Sequence, residues 1–170
     1  TQMAYSSAHQ RLYLAYPGGA ITYIDLTASL VERPFANLPL TPRGLAAVGE
    51  FVLAQDASGA RNTHYIFDVN GVLTDSADWN RYSRAYAWNE ANDRVYFFRD
   101  GISPNDLLYE EINQLSGTIT DAGETPYHGD YFISPPIRIS QDGTKVLLGS
   151  GDIYDANTLA WQGALGTTID

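Results

Sequence analysis

Four acidic residues, Asp25, Asp68, Glu111 and Asp155, fall 43, 43 and 44 residues apart along the 170-residue chain. Each closes a short apolar run and opens a polar turn, at Thr27-Ala28-Ser29, Asn70-Gly71, Asn113 to Gly117 and Ala156-Asn157-Thr158. Asx and Gly residues suit such turns because they accept tight or left-handed backbone. A period of this size restricts the fold to a row of similar units, each too small to bury its apolar face alone.

The units share one plan. In the first, Met3 to Tyr5 and Arg11 to Tyr16 flank the turn Ala8-His9-Gln10, and Ala20 to Leu26 follows Pro17-Gly18-Gly19. The second runs from Gly44 through Phe51-Val52-Leu53-Ala54 to Asp68. The third runs from Arg84 through Arg94-Val95-Tyr96-Phe97-Phe98 to Ile112. The fourth runs from Ile137 through Lys145-Val146-Leu147-Leu148 to Asp155. Val, Ile, Tyr, Phe and Thr dominate these runs, and few windows of ten residues lack Gly, Pro or an Asx cluster, so strands are expected rather than helices. Arg84 to Ala91 and Asn105 to Gln114 are long enough for short helices, but the register of the repeat favours strands there too.

The plan resembles the β-propeller repeat superfamily, including the Tyr-Val-Thr-Asn type and quinoprotein-like blades of exported bacterial proteins. The local matches lie in Tyr5 to Leu26 and in Ile139 to Asp155, where Ser140-Gln141-Asp142-Gly143-Thr144-Lys145-Val146 looks like a common first hairpin of such blades. No Trp-Asp dipeptide closes a third strand and the Tyr-Val-Thr-Asn tetrapeptide is absent, so the subfamily stays open. The resemblance implies an all-β fold of β-propeller blades: four repeats of about 43 residues, four antiparallel strands in each, forming part of a larger ring. The chain is then one domain, 1–170, with approximate blades 1–43, 44–83, 84–133 and 134–170. An arc of this kind, an excised piece or a chain with its leader removed, leaves blade faces uncovered. Self-association through those faces, with two copies completing one ring, is the expected consequence.

Composition narrows the partners. The formal net charge is −10, which repels nucleic acid and anionic membrane surfaces at long range. There is no Cys, so thiolate metal sites and disulfides are excluded. No apolar run reaches the roughly 18 residues of a membrane span. Export to the periplasm or surface of a bacterium is the reading that acidity, lack of Cys and the resemblance favour together.

No catalytic constellation emerges, and no cofactor or metal is expected. His9, His64 and His128 lie in different units without ligand spacing. Asp68 to Gly71 has the opening of a calcium loop, but Trp79 stands at position twelve, so a hairpin turn is expected. Glu110 and Glu111 point to opposite faces if they lie on a strand. Asp75, Asp78, Asp100 and Asp106 are placed in loops. Trp79, Tyr82, Tyr86 and Trp88 form an aromatic group suited to packing between units. The candidate ligand-binding loop contains Tyr127, His128, Asp130 and Tyr131, between the third and fourth units. The functional expectation is a non-enzymatic ligand- or protein-binding scaffold. The alternative is part of a propeller enzyme, lactonase-like or quinoprotein-like, whose axial site needs further blades.

Overall fold

The computed structural model describes residues 1–58, 61–79, 82–100 and 105–170, with the side chains of 57, 58, 61, 82 and 100 left aside. The described chain forms sixteen strands in four antiparallel sheets of four, each sheet built from consecutive strands. Sheet 1 contains β1 (Gln2–Ser6), β2 (Arg11–Ala15), β3 (Ala20–Asp25) and β4 (Glu32–Asn37). Sheet 2 contains β5 (Pro42–Val48), β6 (Phe51–Ser58), β7 (Arg61–Phe67) and β8 (Leu73–Trp79). Sheet 3 contains β9 (Tyr82–Asn89), β10 (Arg94–Asp100), β11 (Leu107–Ile112) and β12 (Ile119–Glu124). Sheet 4 contains β13 (Ile137–Ile139), β14 (Lys145–Leu148), β15 (Asp152–Asp155) and β16 (Trp161–Ala164). Both segments long enough for helices are strands. Asp75 and Asp78 lie on β8, not in a loop, because this outer strand takes its pairing from β7 while facing solvent, and Asp100 ends the inner strand β10, where its backbone pairs with Tyr82 of β9.

The first strands neighbour one another in series, β1 with β5, β5 with β9 and β9 with β13, so they line the inside of the arc. Each seam between sheets has its own apolar core. Tyr13, Ala15 and Ile21 meet Leu45, Val52, Ala54 and Phe67 between sheets 1 and 2. Val48, Leu53 and Ile66 meet Val95 and Ile112 between sheets 2 and 3. Tyr96, Phe98 and Leu107 meet Ile137, Val146, Leu148 and Tyr154 between sheets 3 and 4.

Hydrogen bonds tie the seams at their ends. His9 Nε2 lies 3.1 Å from the Glu50 carbonyl, Asn89 Nδ2 donates to the Gly143 carbonyl at 2.8 Å, and the Tyr96 hydroxyl donates to the Ala156 carbonyl. Asp68 to Gly71 is the expected turn: Asp68 Oδ1 accepts the Asn70 and Val72 amides, both at 2.9 Å, and Gly71 has φ +80°.

Candidate functional site

Turns between first and second strands collect at one face of the arc. There a cavity of about 510 Å³ is lined by Tyr5, Ser6 and Ser7 of sheet 1, Ala47 and Glu50 of sheet 2, and Trp88, Glu90, Asp93 and Gln114 of sheet 3. A second hollow of about 400 Å³ continues past Trp88 and Glu90 to Ser140 and Asp142 of sheet 4. Carboxylates rim both, and neither lining includes a Lys, Arg or His among the described residues. Burial first, then the charges of Glu111 and Glu90, raises the Asp93 pKa above its ordinary value. At the far end Asp142 is held down at about 2 by bonds from Ser140 Oγ at 2.6 Å and from the Thr144 amide and hydroxyl. A negative basin of this kind attracts cationic groups.

Between sheets 2 and 3 lies a buried polar network that the sequence reading did not anticipate. His64 Nδ1 is 2.8 Å from Glu110 Oε2, and His64 Nε2 is 2.7 Å from Ser83 Oγ. Both His64 and Glu110 are fully buried. Trp79 Nε1 donates to Glu110 Oε1, Asn62 Nδ2 donates to Ser83 Oγ, and the Tyr86 hydroxyl donates to Gln55 Oε1 at 2.8 Å. Desolvation drives the Tyr86 pKa well up. Gly44 makes room for this ring, since a Cβ there would sit 2.3 Å from Tyr86 Cε2. The order serine, histidine, carboxylate is that of a nucleophile relay. Here, however, Ser83 is 5% exposed and its hydroxyl is engaged by Asn62, His64 and Tyr86, so the network stitches two blades together. The sequence did carry a signal. Asn62, His64 and Ile66 alternate on one side of β7, as Leu108, Glu110 and Ile112 do on β11, so both polar side chains share a face with core residues.

Glu111 points the other way from Glu110, as expected, and pairs with Arg94 at 3.2 Å. Trp79 and Tyr86 pack around Phe97, with ring centroids 5.3 and 5.7 Å away, while the Tyr82 side chain lies outside the described residues. The candidate loop between sheets 3 and 4 divides by residue. Tyr131 stacks on Trp161 at 4.7 Å, Tyr127 meets Tyr131 edge-on at 5.0 Å, and the Tyr127 hydroxyl accepts the Trp161 amide. His128 and Asp130 are exposed on this aromatic base, His128 with φ +42°. Below them the buried Asp106 pairs with Arg99 at 3.2 Å, and Arg99 also meets Glu124. Among the described residues no group of three His, Asp or Glu side chains is set to hold a metal ion.

No protein-family model matches the sequence, and no curated protein does. Solved structures do. A chain of the nidogen/laminin complex superimposes with a TM-score of 0.68 at 10% identity, covering 94% of this chain and 61% of that one. The β-propeller domain of Cps50 (Swd1) from Myceliophteria thermophila gives 0.66 at 14% identity, covering 99% of this chain and 56% of that one. This chain thus spans about three fifths of the length of the structures it matches. With its four consecutive four-stranded antiparallel sheets laid out as in these structures, the chain has the β-propeller fold, and each sheet is a blade.

Proposed function

We propose that this chain is a non-enzymatic, protein-binding propeller module whose first-turn face receives a basic segment of a partner. The observation that carries the reading is the cavity of about 510 Å³ in which Glu50, Glu90 and Asp93, from two blades, meet beside Trp88 with no cation in the lining. Lys or Arg side chains entering there would relieve the repulsion that Glu90 exerts on Asp93. One solved neighbour comes from a complex of two proteins, nidogen and laminin, which fits a propeller used for protein recognition. The same reading includes self-association through the blade faces at the ends of the arc.

Calorimetric titration with an Arg/Lys-rich peptide and with its Asp/Glu counterpart tests the basic-partner reading. The basic peptide should bind, with affinity falling steeply as salt is raised. Replacing both Glu90 and Asp93 by their amides should weaken it about tenfold. Equal behaviour of the two peptides would sink the reading.

The loop at Tyr127, His128, Asp130 and Tyr131 is a second binding surface under the same proposal. The supporting observation is its rigid aromatic base beneath two exposed polar tips. Loss of partner binding on replacing His128 and Asp130 by Ala, with the rim carboxylates intact, would favour it over the cavity.

A further inference from the structure

Turns between third and fourth strands reach the same face as the turns that rim the cavity. Arg11, at the first turn of blade 1, donates from Nη1 to the Val69 carbonyl of blade 2 at 2.7 Å. The Glu50 amide, in the first turn of blade 2, donates to Gln114 Oε1 of blade 3 at 2.9 Å. Asn92 Nδ2, in the first turn of blade 3, donates to Asn157 Oδ1 of blade 4 at 3.2 Å. Each last turn thus leans on the first turn of the blade before it. The face has an inner tier of first turns and an outer tier of last turns.

The two tiers differ in chemistry. The inner one carries Glu50, Glu90, Asp93 and Asp142. In blades 2 and 3 the outer one exposes apolar side chains: Val72 is 59% exposed, Leu73 50% and Leu115 97%. Both blades are flanked on either side, so this exposure belongs to the face and not to an end of the arc. Leu115 is also fixed in place. Asn113 Oδ1 accepts the Leu115 amide at 2.9 Å and the Ser116 amide at 3.1 Å, and the Gly117 amide donates to the Asn113 carbonyl at 2.8 Å. On one side of Leu115, Gln114 lines the cavity. On the other, the Gly117 carbonyl accepts the hydroxyl of Thr74, the residue after Leu73, at 2.9 Å. No residue from 113 to 118 is ionisable. A lone exposed leucine is ordinary on a protein surface. This one is held outward by a closed turn, directly beside an acidic cavity.

We infer that the partner segment is amphipathic: its basic side chains enter the cavity beside Trp88, Glu90 and Asp93, and an apolar side chain of the same segment covers Leu115. The inference rests on the basic-partner reading above and names the second half of the partner's pattern. Charge complementarity brings the segment to the face, and burial of Leu115 discriminates among basic segments. Gln114 and Leu115 are adjacent, and an extended segment advances about 3.3–3.6 Å per residue, so the apolar residue should fall roughly one to three positions from the basic one.

Calorimetric titration with two peptides of equal positive charge tests it. One carries Arg among Ser and Gly, and the other has Leu in place of Ser two positions from each Arg. The Leu peptide should bind about tenfold tighter. Its heat-capacity change should be more negative, and the gain should persist as salt is raised. Leu115→Ser should bring the two peptides to the same affinity, and circular dichroism checks that the variant keeps its strands. Equal affinities for the unaltered chain would overturn the inference. So would a gain that survives Leu115→Ser combined with Leu73→Ser. Self-association of the chain that Leu115→Ser abolishes would overturn it too, by making a second copy the occupant. Binding of the Ser peptide without any gain from Leu leaves the basic-partner reading standing, whereas failure of both peptides to bind sinks both.

Discussion

Glu110 has no contact with solvent and two side-chain partners, while Glu111, one residue on, stands at a half-open edge beside Arg94. Removing one member of a buried pair leaves the other uncompensated. Glu110→Ala should therefore cost about 3 kcal/mol in urea unfolding, against well under about 1 kcal/mol for Glu111→Ala. Equal losses would mean the buried pair is not formed. Two aspartates at the turn face respond oppositely to pH. The raised pKa of Asp93 means that the folded chain holds this proton more tightly than the unfolded one, so its ionisation removes stability as pH rises through the folded value. Asp93→Asn should raise the melting temperature near pH 7, and the gain should vanish in acid, where wild-type Asp93 is protonated. Asp142 has the opposite sign. Its contribution is complete above the ordinary value of 3.8 and is lost as pH falls towards about 2. Asp142→Ala should lower the melting temperature at neutral pH and make little difference near pH 2.

At the scale of elements, Asp142-Gly143 shows how a turn also serves as a seam. Gly143 has φ +70°, and a Cβ there would lie 2.3 Å from Ala91 Cβ in the corresponding turn of blade 3. Gly143→Ala should cost about 1–2 kcal/mol from the left-handed backbone alone, with the clash added. Thermal unfolding read by circular dichroism measures it, and a change within error would show that the turn relaxes freely. This hairpin was legible in the sequence because Asp-Gly names its own geometry. The inner three strands of each blade were legible too, being apolar runs between turn signals. The outer strands were harder to read. Glu32–Asn37, Leu73–Trp79 and Ile119–Glu124 take their pairing from the third strand's backbone while facing water, so their residues show little apolar patterning. That is why Asp75 and Asp78 read as loop residues. The cavity was out of reach for a related reason: its rim joins turns some 40 residues apart, and no local spacing brings Glu50 to Asp93. The Tyr127 to Tyr131 loop stood out by composition, yet its tyrosines are spent largely on packing.

For the molecule as a whole, the serial contact of first strands and the seam-by-seam cores mean that each blade is held chiefly by its immediate neighbours. Blades 2 and 3 have a neighbour on both sides. Blades 1 and 4 have one within the chain. Hydrogen exchange should therefore protect β6, β7, β10 and β11 more than β2, β3, β14 and β15 in dilute solution. Uniform protection in a chain shown to be monomeric would contradict this. The polar network of His64, Glu110 and Ser83 lies at the middle seam, where both flanking units are themselves flanked. Thermodynamically this is a short row of coupled units, not a single droplet with one centre. In such a row the weakest coupling sets where melting begins, and a lesion in an end unit can fray that unit while the rest holds. The middle seam has no such outlet: weakening it divides the row into two pairs, so the chain's cooperativity passes through the seam that holds the fully buried His64 and Glu110.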